Sequence, residues 1–101
     1  MKNKIYKVNG NFIAANDSTE AINKLRETGE HRKIDCKFIC DTQKIIPTVE
    51  DGKMILFEVT DNKVTEFITA NSASVSLEKF YQNHKSVTSF TKVICFIEDL
   101  I

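Results

Sequence analysis

Two short runs rich in strand-forming residues, "KIYKV" and "NFIAA", flank Asn9-Gly10 near the start of the chain. That dipeptide is the strongest short-range hairpin signal, because a type I′ turn requires positive φ at both central residues. The apolar spacing then changes. Ala21, Ile22 and Leu25 recur at helical intervals and predict a helix that starts at Asp17 or Ser18 and ends near Thr28. Asp17 and Glu20 have capping-box spacing, and Gly29 supplies a natural stop. "IDCKFIC" returns to strand formers. The first half therefore reads β-β-α-β.

The second half reads the same way. "MILFEV" and "VTEFITA" flank Asp61-Asn62-Lys63, Ser74 or Ser76 caps a helix carrying Leu77, Phe80 and Tyr81, and "FTKVICFI" closes the series. The order repeats because the words repeat: "FIAAN" at 12–16 is echoed by "FITAN" at 67–71. At a single ungapped offset of 55 residues, eight identities fall among the 29 pairs from 12/67 to 40/95, including Lys24/Lys79, Lys37/Lys92, Ile39/Ile94 and Cys40/Cys95. This pattern predicts a tandem duplication. The 101 residues amount to one domain, with repeats over about 1–45 and 51–101. The linker between them contains Pro47, expected at a strand edge, and Glu50-Asp51-Gly52, expected in a turn. A unit of such length is marginal alone, so the copies are expected to share a core. The predicted fold is α+β: a mostly antiparallel sheet with two helices on one face.

Strand alternation assigns faces. Alanine permits close approach of a helix, so Ile13, Ala15, Ile68 and Ala70 are expected beneath the helices. Phe12 and Phe67 then point to the opposite face. Alternation counted straight through the last strand places Ile94 and Phe96 with them, and Tyr6 lies beside Phe12 on the hairpin. Phe12, Phe67, Ile94, Phe96 and Tyr6 are the candidate partner-binding residues, for a protein partner or a second copy.

The composition narrows the chemistry. Fourteen basic residues balance fourteen acidic ones, which removes the usual basic excess of nucleic-acid binders. No apolar run approaches the length of a membrane helix, and no secretory h-region follows the early lysines; a cytoplasmic protein without membrane association is expected. Cys36, Cys40 and Cys95 are expected to be reduced. On a strand, Cys36 and Cys40 stand about 13 Å apart, too far to share an ion. No metal site, cofactor or phosphate loop is expected, and the carboxylate pairs Glu50-Asp51 and Glu98-Asp99 diverge. The sequence thus predicts a non-enzymatic protein-binding module. The Lys-, Ile- and Asn-rich, Trp-free composition is typical of AT-rich genomes, which suggests a phage or mobile-element inhibitor of a host defence system, acting by steric occupation.

An alternative rests on His31, Arg32, Lys33 and Lys37, a basic run beside sheet aromatics that could serve nucleic acid. The plainer reading of that run is a solvated helix-to-strand connection. The phrase "VNGNFIAANDSTEAINKL", a hairpin followed by a capped helix, resembles small antitoxins of the HicB type over 18 residues. That resemblance implies a nucleic-acid-binding regulator or antitoxin.

Overall fold

The computed structural model describes residues 3–30, 32–48, 54–85 and 88–101. The fold is α+β, with two helices and two separate sheets. Strands β1 (Lys4–Val8) and β2 (Asn11–Ala15) form the first hairpin, followed by α1 (Ser18–Glu27) and β3 (Cys36–Asp41). A 3₁₀ turn at Thr42–Lys44 leads to the short β4 (Ile46–Pro47). Then come β5 (Ile55–Thr60), β6 (Thr65–Ala70), α2 (Ala73–His84), β7 (Phe90–Phe96) and a second 3₁₀ turn at Ile97–Asp99.

The chain divides into two units. Unit 1 is Met1–Gln43 with Asp99–Ile101, and unit 2 is Lys44–Glu98. Unit 1 holds a sheet of order β2-β1-β3, all antiparallel. Unit 2 holds a sheet of order β4-β6-β5-β7, antiparallel except for β4 against β6. The single sheet expected from the sequence is therefore two sheets, each with its own helix. Each third strand pairs with the first strand of its own hairpin, β3 with β1 and β7 with β5, so each β-β-α-β segment closes its own sheet.

The local chemistry explains the elements. Asn9 and Gly10 sit at φ 49° and 86°, as a two-residue I′ turn requires. Asp17 caps α1, its side chain accepting the Glu20 N–H at 2.8 Å. Glu20 answers from the other side by accepting the Asn16 N–H, one residue before the cap. Gly29, at φ 95°, ends the helix in the left-handed region, its N–H donated to the Arg26 carbonyl. The second helix starts earlier than expected. Ser72, not Ser74 or Ser76, is the cap and accepts the Val75 N–H. Ser76 lies inside the helix and is fully buried; its hydroxyl donates to the Ala73 carbonyl and is 2.8 Å from the Thr91 hydroxyl. The Glu50–Gly52 turn expected from the sequence lies outside the described residues.

Each unit has a helix-side core. Tyr6, Val8, Ile13, Ala15, Ala21 and Leu25 form one, and Phe57, Val59, Ile68, Ala70 and Phe80 the other. The alanines do lie under the helices, as close helix–sheet approach demands.

The outer edges of the two hairpins are finished by segments that follow the opposite unit's last strand. Ile46 on β4 pairs in parallel with Ile68, and the Thr48 N–H reaches the Thr69 carbonyl. Ile101 accepts the Ala14 N–H and donates to the Phe12 carbonyl, bracketing Ile13 in the same parallel pattern. Where Thr48 serves Thr69, the Lys24 ammonium serves the Ala14 carbonyl at 2.7 Å.

Candidate interaction surface

β3 and β7 end their sheets on the side away from the hairpin partner. Cys40 and Cys95 apart, no backbone hydrogen bond reaches β3 or β7 from outside its sheet among the described residues. The other two edges are blunted: β4 carries Pro47, and β2 is occupied by Ile101 and Lys24. The open edges are also the apolar ones. Of the seven exposed large hydrophobic residues among those described, Phe38, Phe90, Val93 and Phe96 lie on β3 and β7. Phe90 is the most exposed of them, at 68%.

A bulge in each strand sets which way these side chains point. Opposite β1, the register steps from Ile5↔Cys40 to Tyr6↔Phe38, leaving Ile39 unmatched. Opposite β5, it steps from Leu56↔Cys95 to Phe57↔Val93, leaving Ile94 unmatched. One extra residue reverses the alternation beyond it. Phe38 and Val93 therefore lie on the helix side, opposite Tyr6 and Phe57. Cys40 and Cys95 lie on the helix-free side, buried with Ile5 and Leu56. Without the bulge, strict alternation would put Phe38 with Cys40, and Val93 with Cys95.

The same reversal divides the candidate partner-binding residues. Phe12 and Phe67 point to the helix-free faces of their own sheets, and both are half-buried. Phe96 stands opposite Ile55, which packs against the helix-side core, so Phe96 is on the helix side. Ile94 is the bulge residue and is half-buried. Tyr6 is buried in the helix-side core of unit 1, its ring meeting the Phe38 ring edge-on at 5.7 Å. These five residues do not share one face.

The basic run is also divided. His31 lies outside the described residues. Arg32 is held by Glu30 through Nε–Oε1 and Nη2–Oε2 contacts of 2.9 and 2.6 Å, and this carboxylate keeps the guanidinium above its ordinary pKa. Lys33 is exposed. Lys37 is exposed on the helix-free side of β3, directly opposite Lys7, whose ammonium lies 5.8 Å from the Phe12 ring centre. Phe12, Lys7 and Lys37 thus form one row across the three strands. The corresponding row in unit 2 is Phe67, Glu58 and Lys92.

No thiol is in a disulfide. Burial, and then the neighbouring Asp35 carboxylate, push the Cys36 thiol above its ordinary pKa, the opposite of what a nucleophile needs. Among the described residues, no group of His, Cys, Asp and Glu is placed to hold a metal ion. Among the described residues, no helix is long and apolar enough to cross a membrane. No family model, curated protein or solved structure matches the chain.

Proposed function

We propose that this chain is a non-enzymatic protein-binding module built from a duplicated β-β-α-β unit, and that it binds partners at the open edges of β3 and β7. The duplication is supported by the 55-residue offset, which carries β2 onto β6, β3 onto β7, one 3₁₀ turn onto the other and Ile46 onto Ile101. The two bulges, at Ile39 and Ile94, obey the same offset.

The observation that carries the binding proposal is that the exposed apolar side chains of β3 and β7 lie on strands that end their sheets, while the other two edges are blunted among the described residues. An open apolar edge is a template for an added strand, with main-chain hydrogen bonds giving affinity and alternate side chains giving specificity. Selection of displayed random peptides against the full chain tests this. Enriched peptides should carry alternating apolar residues and lose binding to Phe90→Lys/Val93→Lys or to Phe38→Lys. Phe90 and Val93 are exposed, so the melting temperature should hold there, whereas Phe38→Lys also loses the edge-on contact with Tyr6 and should lower it modestly. Enriched peptides indifferent to all three substitutions would remove the proposal.

A further inference from the structure

The two open edges differ in charge. On the helix-free side of unit 2, Lys92 faces Glu58, an opposite-charge cross-strand pair. At the equivalent place in unit 1, Lys37 faces Lys7. Like charges directly opposite destabilise a sheet. Among the described residues, neither lysine is in an ion pair. The nearest acid along the chain, Asp35, is tied through its backbone to Asn9: its N–H goes to Asn9 Oδ1 and its carbonyl accepts the Asn9 N–H. Its carboxylate is in no ion pair among the described residues.

The ladder also shows which backbone groups are available. The Asn9 to Asp35 bond marks that pair as hydrogen-bonded, and the register continues to Val8↔Cys36, Lys7↔Lys37 and Tyr6↔Phe38. Bonding alternates along an antiparallel pair. Asp35 and Lys37 therefore direct their backbone groups toward β1, and Cys36 and Phe38 direct theirs outward. An antiparallel strand added there would bond to Cys36 and Phe38. It would meet Lys37 at a non-hydrogen-bonded position, where side chains come closest. Phe38, 51% exposed on the other face, would meet the next residue.

We propose that the open edge of β3 binds an extended acidic segment of a protein partner as an added strand, with an aspartate or glutamate opposite Lys37 and an apolar residue opposite Phe38. This rests on the reading of β3 as a binding edge and adds the chemistry of its occupant. The incoming carboxylate supplies the negative charge that Glu58 supplies in unit 2. A lysine on an edge also repels cationic strands, so the same residue selects and excludes.

The test uses the full chain, labelled with nitrogen-15, at low and at physiological salt. The probes are a capped peptide of alternating valine and glutamate, its lysine counterpart, and a short oligothymidylate. The glutamate peptide should shift the Cys36 and Phe38 amides and slow their exchange, and the lysine peptide should not. Lys37→Gln should weaken the glutamate peptide about twofold to fivefold, the effect of one cross-strand charge pair, and Lys37→Glu should reverse the preference. Equal binding of both peptides, glutamate-peptide shifts that avoid β3, or oligothymidylate shifts around Lys7 and Lys37 without any from the glutamate peptide would each overturn the proposal. The broader reading is scored separately. If selected peptides depend on Phe90 and Val93 while β3 stays silent, this inference fails and that reading stands.

Discussion

Lys7 and Lys37 face each other directly across the β1–β3 ladder, at the place where unit 2 sets Glu58 opposite Lys92. The folded chain thus carries a repulsion that its own second half avoids. Converting the pair should stabilise the isolated protein. Lys37→Glu is the informative change, because Lys7 also lies over the Phe12 ring and its removal would lose that contact. A gain of about 0.5–1.5 kcal/mol is expected, from a like pair replaced by an opposite one. A rise in the urea midpoint with an unchanged slope measures it; a fall would mean that Lys37 already has a stabilising partner.

Burial separates two phenylalanines of unit 2. Phe80 is fully buried against β6, and Phe90 is the most exposed large hydrophobic residue among those described. Phe80→Ala should cost about 3–5 kcal/mol, enough to threaten the fold of so small a domain. Phe90→Ala should change stability by less than about 0.5 kcal/mol, as surface substitutions do. Thermal melts of the two variants should differ accordingly, and equal losses would place Phe90 in a core.

Ser76 is a polar group satisfied within the core, bonded to the Ala73 carbonyl and placed against Thr91. Ser76→Ala should cost about 0.5–1.5 kcal/mol, the net worth of a typical hydrogen bond. Thr91→Val should cost less, because Ser76 keeps its bond to Ala73. The order of the two chemical-denaturation midpoints checks the assignment.

High pH should unfold the protein through unit 1. Burial raises the Tyr6 phenol above its ordinary value of 10.0 and the Cys36 thiol above 9.0. Both groups hold their protons more tightly when folded. The native state then binds more protons than the unfolded chain, so stability falls as pH rises. The loss should begin at about pH 9 and steepen past 10, with no contribution from these groups at neutral pH. Tyr6→Phe should flatten the upper part of the curve. A stability profile level to pH 11 would show that neither group matters.

Much of the fold is legible in the sequence, because period-two alternation and capping chemistry act locally. Asn9-Gly10, Asp17 with Glu20, Gly29 and the alanines beneath the helices all do what their residue types require. The faces of the last strands are not legible, since a single unmatched residue, Ile39 or Ile94, reverses them and no glycine marks the bulge. Tyr6 is legible too: the two-residue Asn9-Gly10 turn sets it opposite Ile13 on the helix side, a register that the expected grouping with Phe12 overlooks. Ser72 is one of three serines within five residues, each able to cap a helix. Phe38, Phe90 and Val93 look like core residues in a sequence of strand formers. They become a candidate surface only once β3 and β7 are known to be edges.

Amide-resolved mapping of a bound strand tests the edge-binding proposal most directly. A nitrogen-15 spectrum of the full chain, recorded with a peptide selected for binding, should show the largest shifts and the strongest exchange protection on β3 or β7. The Ile13 and Ile68 amides, inside the finished hairpin edges, should stay in place. Shifts confined to α1, α2 or the hairpin strands, with β3 and β7 unmoved, would contradict it.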